Sequence, residues 1–152
     1  MGAGKACVVT VTGTHYPPQD EGQPIVTAQE AQAEFFAKGE SRYLFYEEQP
    51  EGYPQPLKTR VKQKGNSVEI HRKSAAGLSP ESRMVFEPGM EYRTEYATPL
   101  GMLLLDIVTE TVETDETSVR GQDWPDVRIV YRLMDGKASL GRYELSICAR
   151  PT

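Results

Sequence analysis

The chain has 152 residues, of which 38% are hydrophobic and 26% charged, with a formal net charge of −5. This length suits one domain with its own core, and the ordinary composition excludes a largely disordered chain. The negative charge disfavours nucleic acid as a partner, and the lack of a long apolar run or a signal-peptide pattern predicts a cytoplasmic protein with no membrane partner.

Short runs with two-residue alternation, separated by turn residues, predict ten strands and almost no helix. The predicted strands are 5–14, 25–37, 41–49, 55–64, 67–73, 82–87, 90–98, 101–113, 123–134 and 137–149. The run from Ala28 to Phe36 contains helix-forming residues, but Ala31, Ala33 and Phe35 alternate, and we interpret it as a strand. We therefore predict one all-β domain over 1–152, a closed antiparallel up-and-down β-barrel of about 8–10 strands.

The turn between the fourth and fifth predicted strands sets their register. A two-residue Gly65-Asn66 loop places Val61 opposite Ile70 and aligns one apolar face. The same register places Thr59 opposite Arg72. Because this face also carries the apolar residues, we expect Arg72 to point into the barrel or to lie at its rim.

The turn at Thr98–Gly101 has Pro and Gly where a type I turn requires them. Closing the hairpin there places Tyr96 opposite Leu103 on one face. On the other face it pairs Arg93 with Asp106, which predicts an exposed ion pair. Two independent features therefore agree on one register.

The last hairpin has two alternative loops. A two-residue turn at Asp135-Gly136 would set an apolar residue opposite a glutamate, so we predict a three-residue loop, 134–136, with its glycine left-handed. This loop places Val127 opposite Tyr143. It also places Ile129 opposite Gly141.

Five segments, taken in order, resemble the YwiB-like family of small bacterial proteins. They are Val11–Thr14, Tyr43–Glu48, Arg83–Gly89, Tyr96–Gly101 and Tyr143–Ile147. The resemblance implies a calycin-like (lipocalin-type) β-barrel over nearly the whole chain and implies no established activity. The chain departs from the family pattern after Arg72, because Lys73-Ser74 follows and glycine comes only at 77. We therefore expect a longer connection to the sixth strand.

The predicted interior carries a small set of polar side chains as candidate ligand contacts. They are Thr59, Arg72, Tyr92, Thr94, Tyr96 and Tyr131. In one hypothesis Arg72 binds an anionic group of a small-molecule ligand beside the tyrosine hydroxyls. In the alternative, Glu47 or Glu48 compensates Arg72 and the tyrosines fill the core. Since adjacent strand residues face opposite sides, these two glutamates cannot form the facing pair of a glycosidase.

Two outer surfaces are candidates for interaction. The basic stripe on the fourth strand comprises Lys58, Arg60 and Lys62. The apolar strip on the eighth strand comprises Met102, Leu104 and Val108, on the side opposite Leu103, Leu105 and Ile107, which we expect to face the interior. An exposed apolar strip needs a cover. The chain's own N-terminus, its 74–81 segment or a second subunit could supply it, so the alternatives of monomer and homodimer stay open.

Residue types that usually carry catalysis are sparse. The chain has two cysteines, Cys7 and Cys148, and two histidines, His15 and His71. We expect reduced thiols, interpret His15 as part of a turn, and find no evident Ser, Cys or Asp partner for either histidine. The sequence therefore predicts no cofactor and no metal. A non-enzymatic module that binds a small ligand is the first hypothesis, an interaction module acting through its outer surface the second, and an enzyme the third.

Overall fold

The structure is a computed structural model that describes residues 4–18, 22–48, 56–74, 81–98, 101–115 and 124–152, with the backbone alone at 74, 96–98 and 101–102. The strands within these ranges are β1 (Lys5–Tyr16), β2 (Ile25–Lys38), β3 (Ser41–Glu48), β4 (Leu57–Lys64), β5 (Ser67–Ser74), β6 (Ser82–Phe86), β7 (Glu91–Thr98), β8 (Gly101–Asp115), β9 (Asp126–Asp135) and β10 (Ala138–Pro151). The ten predicted strands are confirmed, with ends that differ by a few residues.

All ten strands belong to one antiparallel sheet in the order β6-β5-β4-β3-β2-β1-β10-β9-β8-β7. The two end strands, β6 and β7, lie side by side, and across this seam the Thr94 hydroxyl donates a hydrogen bond to the Arg83 carbonyl. The sheet therefore curls into a nearly closed barrel in which each strand follows its neighbour up and down. This confirms the predicted fold class.

The interpretation of the Ala28–Phe36 run as a strand is confirmed. It lies inside β2, which pairs with β1 along an unbroken ladder from Ile25 to Phe35. The alternation of apolar residues outweighed the helix propensity of this run, because Ala33 and Phe35 face the barrel core, where they are buried.

Both hairpins whose registers followed from turn chemistry are confirmed. Across β4 and β5, Val61 pairs with Ile70 and Thr59 pairs with Arg72. Across β7 and β8, the backbone of Arg93 pairs with that of Asp106, and their side chains form an exposed ion pair at 2.9 Å. This ion pair raises the pKa of Arg93 and lowers the pKa of Asp106, mainly through the hydrogen bond between them. Residues 99–100 of the second turn lie outside the described residues.

The predicted register of the last hairpin is wrong. The β9–β10 ladder begins at Asp135 and Ala138, and its register shifts between Ser139 and Gly141. As a result Tyr143 pairs with Tyr131 rather than with a valine. The predicted loop, 134–136, is also wrong, because 134 and 135 are paired and the turn is 136–137. The bulge then inserts one further residue and returns the apolar residues of both strands to the same face.

Side chains at alternate strand positions fill the centre of the barrel. Those with almost no accessible surface are Val9, Leu44, Val61, Val68, Phe86, Ile107, Ile129 and Ile147. Trp124 is buried at the end of the barrel where β9 begins, and its indole N–H donates to the Ile147 carbonyl at 3.2 Å. These residues come from eight strands and form one continuous apolar core along the barrel axis.

Candidate functional site

A buried carboxylate lies where β3 ends. Glu48 accepts hydrogen bonds at Oε1 from the Thr59 hydroxyl at 2.6 Å and from Arg72 Nε at 2.7 Å. Its Oε2 accepts from Gln29 Nε2 at 2.7 Å. We call Gln29, Glu48, Thr59 and Arg72 the carboxylate cluster. Every hydrogen bond in it has the short distance expected of a bond to a charged acceptor.

Strand register brings the carboxylate cluster together. Tyr46 pairs with Thr59 across β3 and β4, and Thr59 pairs with Arg72 across β4 and β5, so their side chains share the inward face. Glu48, two residues beyond Tyr46, shares that face and is buried, whereas Glu47 is exposed on the other side. The prediction that the two glutamates face opposite sides is therefore confirmed.

The electrostatics keep Glu48 ionised. Burial acts to raise its pKa, but the charge of Arg72 and the hydrogen bonds from Thr59, Gln29 and Arg72 outweigh burial and hold the pKa below its usual range. Beside it, burial raises the pKa of Tyr46, and the Glu48 charge raises it further. The Tyr46 hydroxyl therefore stays protonated, and it is available as a hydrogen-bond donor.

The lowered pKa of Glu48 predicts how stability changes with pH. A carboxylate with a depressed pKa contributes stability above its unfolded pKa, and that contribution is lost as the pH falls through the folded value. We therefore expect the difference in unfolding free energy between wild type and Glu48→Gln to be largest at pH 7 and to shrink below about 4.5, the ordinary pKa. Urea unfolding of both proteins at several pH values measures it, and a difference that grows in acid would contradict it.

Of the two hypotheses for Arg72, the contacts favour the one in which a glutamate neutralises its charge. Its Nε contacts the Glu48 carboxylate, which is the alternative in which a glutamate neutralises the arginine. A compensated guanidinium attracts an anion far less than an uncompensated one, because the two nearby charges largely cancel. Direct binding of a ligand by Arg72 stays a prediction.

The barrel wall opens beside the carboxylate cluster. β2 pairs with β1 from Ile25 onward, but its ladder with β3 begins only at Ala33. Where the two strands separate, a solvent-open cleft of about 770 Å³ crosses the wall. We call this the lateral cleft.

Residues from both faces of the sheet line the lateral cleft. Ala31, Ala33, Tyr46 and Thr59 come from the inward face, whereas Gln32, Glu34, Phe45, Glu47 and Lys58 come from the outward face. Thr59 belongs both to this lining and to the carboxylate cluster. The cleft therefore combines alanine and aromatic side chains with charged and amide side chains at its outer side, and its inner polar end is held in place by the hydrogen bonds of Thr59 and Glu48.

Three of the other predicted ligand contacts, Tyr92, Thr94 and Tyr131, are not among the described residues that line this cleft. Thr94 bonds across the β6–β7 seam, and Tyr92 is half-buried. Tyr131 is buried, with its ring 4.8 Å from Phe86 and 5.2 Å from Tyr143. The side chain of the predicted contact at 96 lies outside the described residues. Of the predicted set, the structure brings Thr59 and Arg72 together.

His15 lies in β1 and not in a turn, so that interpretation was wrong. Its ring stacks on Tyr143 at 4.3 Å, and its Nε2 lies 2.9 Å from the Leu140 carbonyl. It shares the inward face with Val9 and Val11 at two-residue spacing, and this alternation was the signal that sequence reasoning missed. The two prolines that follow favoured a turn instead.

The basic stripe is partly neutralised by its neighbours. Arg60 contacts Glu69 at 2.6 Å, and Arg83 contacts the same carboxylate at 2.7 Å. Despite the opposing effect of partial burial, these two arginines lower the pKa of Glu69. Lys62 lies 5.9 Å above the Tyr43 ring, and Lys58 is exposed. A stripe compensated in this way gives weak support for an anionic partner.

The apolar strip on β8 is partly exposed. Leu104 has 56% of its surface accessible, and Val108 is half-buried. Leu105 and Ile107 are buried, but Leu103 is 48% exposed because it lies near the start of the strand. The Met102 side chain and most of the 74–81 segment lie outside the described residues.

Metal-binding groups of three or more His, Cys, Asp or Glu side chains do not occur among the described residues. Within the same ranges, no helix has the length and apolar character to cross a membrane. Cys7 and Cys148 are both unbonded thiols, and burial, followed by the neighbouring Asp126, raises the pKa of Cys148.

Comparisons with known proteins identify a family and a solved structure with a similar fold. A family model described as "Domain of unknown function (DUF1934)" matches residues 9–147. The chain is also similar to the crystal structure of the ywiB protein from Bacillus subtilis, with a TM-score of 0.78 at 18% sequence identity over 98% of this chain and 93% of that one. At this identity the likeness shows the fold alone. Among curated proteins no match is found.

Proposed function

The chain belongs to the DUF1934 family, and from this premise we propose that it is a non-enzymatic module that binds a small ligand in the lateral cleft. The observation that carries the proposal is the cleft itself. Its volume of about 770 Å³ lies within the range of roughly 300–1,000 Å³ that is typical of small-molecule sites.

The lining indicates the chemistry of the ligand. Ala31, Ala33 and Phe45 offer apolar contact, and small alanine side chains leave space where two strands separate. At the polar end, Tyr46 keeps its proton and Thr59 has its hydroxyl directed at Glu48. The cleft therefore suits a molecule with an apolar part against these residues and a hydrogen-bond acceptor, such as a carbonyl, near Tyr46. Polar groups of such a molecule can contact the outward side chains at the mouth of the cleft, which are Gln32, Glu34, Glu47 and Lys58.

In this proposal Arg72 positions the polar end of the cleft instead of capturing an anion. Its contact with Glu48 leaves the carboxylate compensated and Thr59 fixed in orientation. Packing and hydrogen bonds that hold a site in one geometry reduce the conformational entropy that is lost when a ligand binds.

Native mass spectrometry of protein purified from its own host tests the proposal. We expect wild type to carry an added small-molecule mass, Ala31→Phe to lose it because the ring fills the cleft, and Phe45→Ala to bind the same molecule about threefold to tenfold more weakly. Ala37→Phe is the matched control, because it adds the same ring to an exposed position of the same strand.

A wild-type protein without any added mass would contradict ligand binding. A folded Ala31→Phe variant that keeps the ligand would contradict the placement of the site. Circular dichroism of each variant establishes that it is folded. Because Phe45 is 42% exposed, its truncation tests the cleft without disturbing the core.

A second candidate function is interaction with another protein through the outer surface. The exposure of Leu104 on β8 favours it, since an accessible leucine on a sheet face is a common contact residue. Lys58 and Lys62 could add charge at the basic stripe, although Arg60 is already engaged by Glu69.

A further inference from the structure

Three aromatic side chains lie together on the outer face of the barrel. Phe36 belongs to β2, and Tyr43 and Phe45 belong to β3. All three point away from the core, because the residues beside them in each strand, Phe35 and Leu44, are buried. The Phe45 ring meets that of Phe36 edge to face at 5.4 Å and lies nearly parallel to that of Tyr43 at 6.2 Å. We call Phe36, Tyr43 and Phe45 the aromatic platform.

The aromatic platform presents an accessible ring in a fixed orientation. Phe36 is half-buried beside Gly4, where an added Cβ would lie 2.5 Å from the ring. Phe45 rests against Phe36 and is 42% exposed. Its neighbour Tyr43 is half-buried, with a ring plane within 20° of that of Phe45. Apolar groups that cluster on an outer sheet face indicate a contact surface, since the core does not require them there.

Basic side chains lie directly beside the aromatic platform. In the ladder between β3 and β4, Tyr43 is opposite Lys62 and Phe45 is opposite Arg60. The Lys62 ammonium lies 5.9 Å above the Tyr43 ring. The other lysines of β4 continue the same outward-facing row, because they follow at two-residue spacing. Rings and cations therefore alternate across neighbouring strands of one surface.

Glu69 neutralises only part of this row. Its carboxylate contacts Arg60 at 2.6 Å and Arg83 at 2.7 Å, so one negative charge is shared between two positive ones. The three side chains together keep a net positive charge. The basic stripe alone gives weak support for an anionic partner, and the adjoining rings are a second, independent feature that such a partner must match.

The positive charge is concentrated on this side of the barrel. Strands β3–β6 contain eight lysine and arginine residues and three glutamates, whereas β7–β10 contain five arginines and nine acidic residues. The net charge of −5, which disfavours nucleic acid as a general partner, therefore conceals one basic side and one acidic side. A polyanion is attracted to the basic side, where the aromatic platform lies.

We propose that the aromatic platform and the adjoining row of β4 bind single-stranded nucleic acid. Bases stack on aromatic side chains, and lysines and arginines beside them neutralise the phosphates. An acidic protein segment would use the cations and leave the rings without a planar partner. A duplex buries the faces of its bases in its own stack, whereas a single strand can turn them outward.

The proposal goes beyond ligand binding in the lateral cleft and does not depend on it. The two surfaces adjoin, because Phe45 and Lys58 also line the cleft. Tyr43 and Lys62 do not belong to that lining, so substitutions there report on the outer surface alone.

Fluorescence anisotropy with a labelled RNA of about ten uridines, in about 50 mM salt, tests the proposal. Phe45→Leu keeps apolar bulk and removes the ring, so we expect binding about fivefold weaker or more, and the same for Tyr43→Leu. Phe45→Tyr keeps the ring and should keep the dissociation constant within about twofold. We expect Lys62→Gln to lower the slope of log K against log salt by about one.

Two control variants separate this surface from the rest of the molecule. Arg132→Gln makes the same change of charge at an exposed site on β9, and we expect it to leave the salt slope unchanged. Ala31→Phe fills the lateral cleft and should bind the RNA as wild type does. Failure of this proposal and failure of the proposed function are therefore distinguishable. Circular dichroism establishes that each variant is folded.

Several results would overturn the proposal. A wild-type protein that does not bind the RNA at low salt overturns it. Wild-type affinity in Phe45→Leu and Tyr43→Leu also overturns it, because binding would then depend on charge alone. Polyglutamate that displaces the labelled RNA as well as unlabelled RNA does would favour an acidic protein partner instead. Equal affinity for duplex RNA contradicts stacking on the rings, and an equal change in slope for Arg132→Gln and Lys62→Gln contradicts the placement.

Discussion

Replacement of Arg72 by methionine is expected to lower the free energy of unfolding at pH 7 by about 3–5 kcal/mol. The methionine leaves the Glu48 carboxylate buried with Thr59 and Gln29 as neutral donors and with no counter-charge from Arg72. The loss of a buried partner costs much more than the pair itself contributes, because the remaining charge is still removed from water. Urea unfolding of wild type and variant measures the effect.

The control for this prediction is Arg93→Met. Arg93 also pairs with a carboxylate, but this pair lies on the outer face of the barrel, with 65% of the Arg93 side chain and 23% of the Asp106 side chain accessible, so water replaces much of the lost contact. We expect a much smaller change there. The double variant Glu48→Met, Arg72→Met should be more stable than Arg72→Met alone, since it buries no charge. Equal losses for Arg72→Met and Arg93→Met would refute a buried ionic cluster.

Acid should reduce the deficit of the Arg72→Met variant. Without the guanidinium, we expect burial, the largest influence on this carboxyl, to outweigh the hydrogen bonds from Thr59 and Gln29 and to raise the pKa of Glu48, so that protonation favours the folded state as the pH falls. The deficit is therefore expected to be smaller at pH 5 than at pH 7. The same series in wild type has the opposite dependence for this group, because its folded pKa is depressed.

Gly141→Ala is expected to destabilise the protein by about 3 kcal/mol or more, through backbone strain and a steric clash. Gly141 has a φ of +119°, and a Cβ added there would lie 2.5 Å from the Tyr16 carbonyl oxygen and 2.6 Å from His15 Nε2. The backbone atom cannot move without breaking the β1–β10 ladder. Thermal and urea unfolding measure the loss.

Gly136→Ala is the matched comparison in the same hairpin. Gly136 has a φ of +62°, but an added Cβ would meet nothing within 4 Å, so only the conformational cost of about 1–2 kcal/mol applies. A Gly141→Ala variant no less stable than Gly136→Ala would show that the close approach of β1 at the bulge is not structurally important.

Much of the fold was predictable because the relevant information is local. The Gly65-Asn66 turn and the Thr98–Gly101 turn each specify which residues face one another, and alternation over a few residues then separates inside from outside. The wrong register at β9–β10 has an equally specific origin. The turn lies at 136–137 and not at 134–136, and the extra residue of the bulge at 140 shifts the register again. This bulge is stabilised by contacts with β1, a strand more than 120 residues earlier.

The candidate site was less predictable than the fold. Thr59 and Arg72 were identified because one hairpin pairs them, and Glu48 was identified as one of two alternative partners for Arg72. The choice of Glu48 over Glu47 depends on which face of β3 is buried. Gln29 could not be identified, because its bond to Glu48 crosses the gap where β2 leaves β3.

The sequence by itself determined a ten-stranded up-and-down barrel, the register of two hairpins and the inward direction of Thr59 and Arg72. These follow from turn chemistry and two-residue alternation, which act over neighbouring residues. Only the tertiary structure decided where β2 separates from β3 and what lies at that gap. A lateral cleft and a compensated carboxylate arise from how far two strands stay together, and that depends on the curvature of the whole closed sheet.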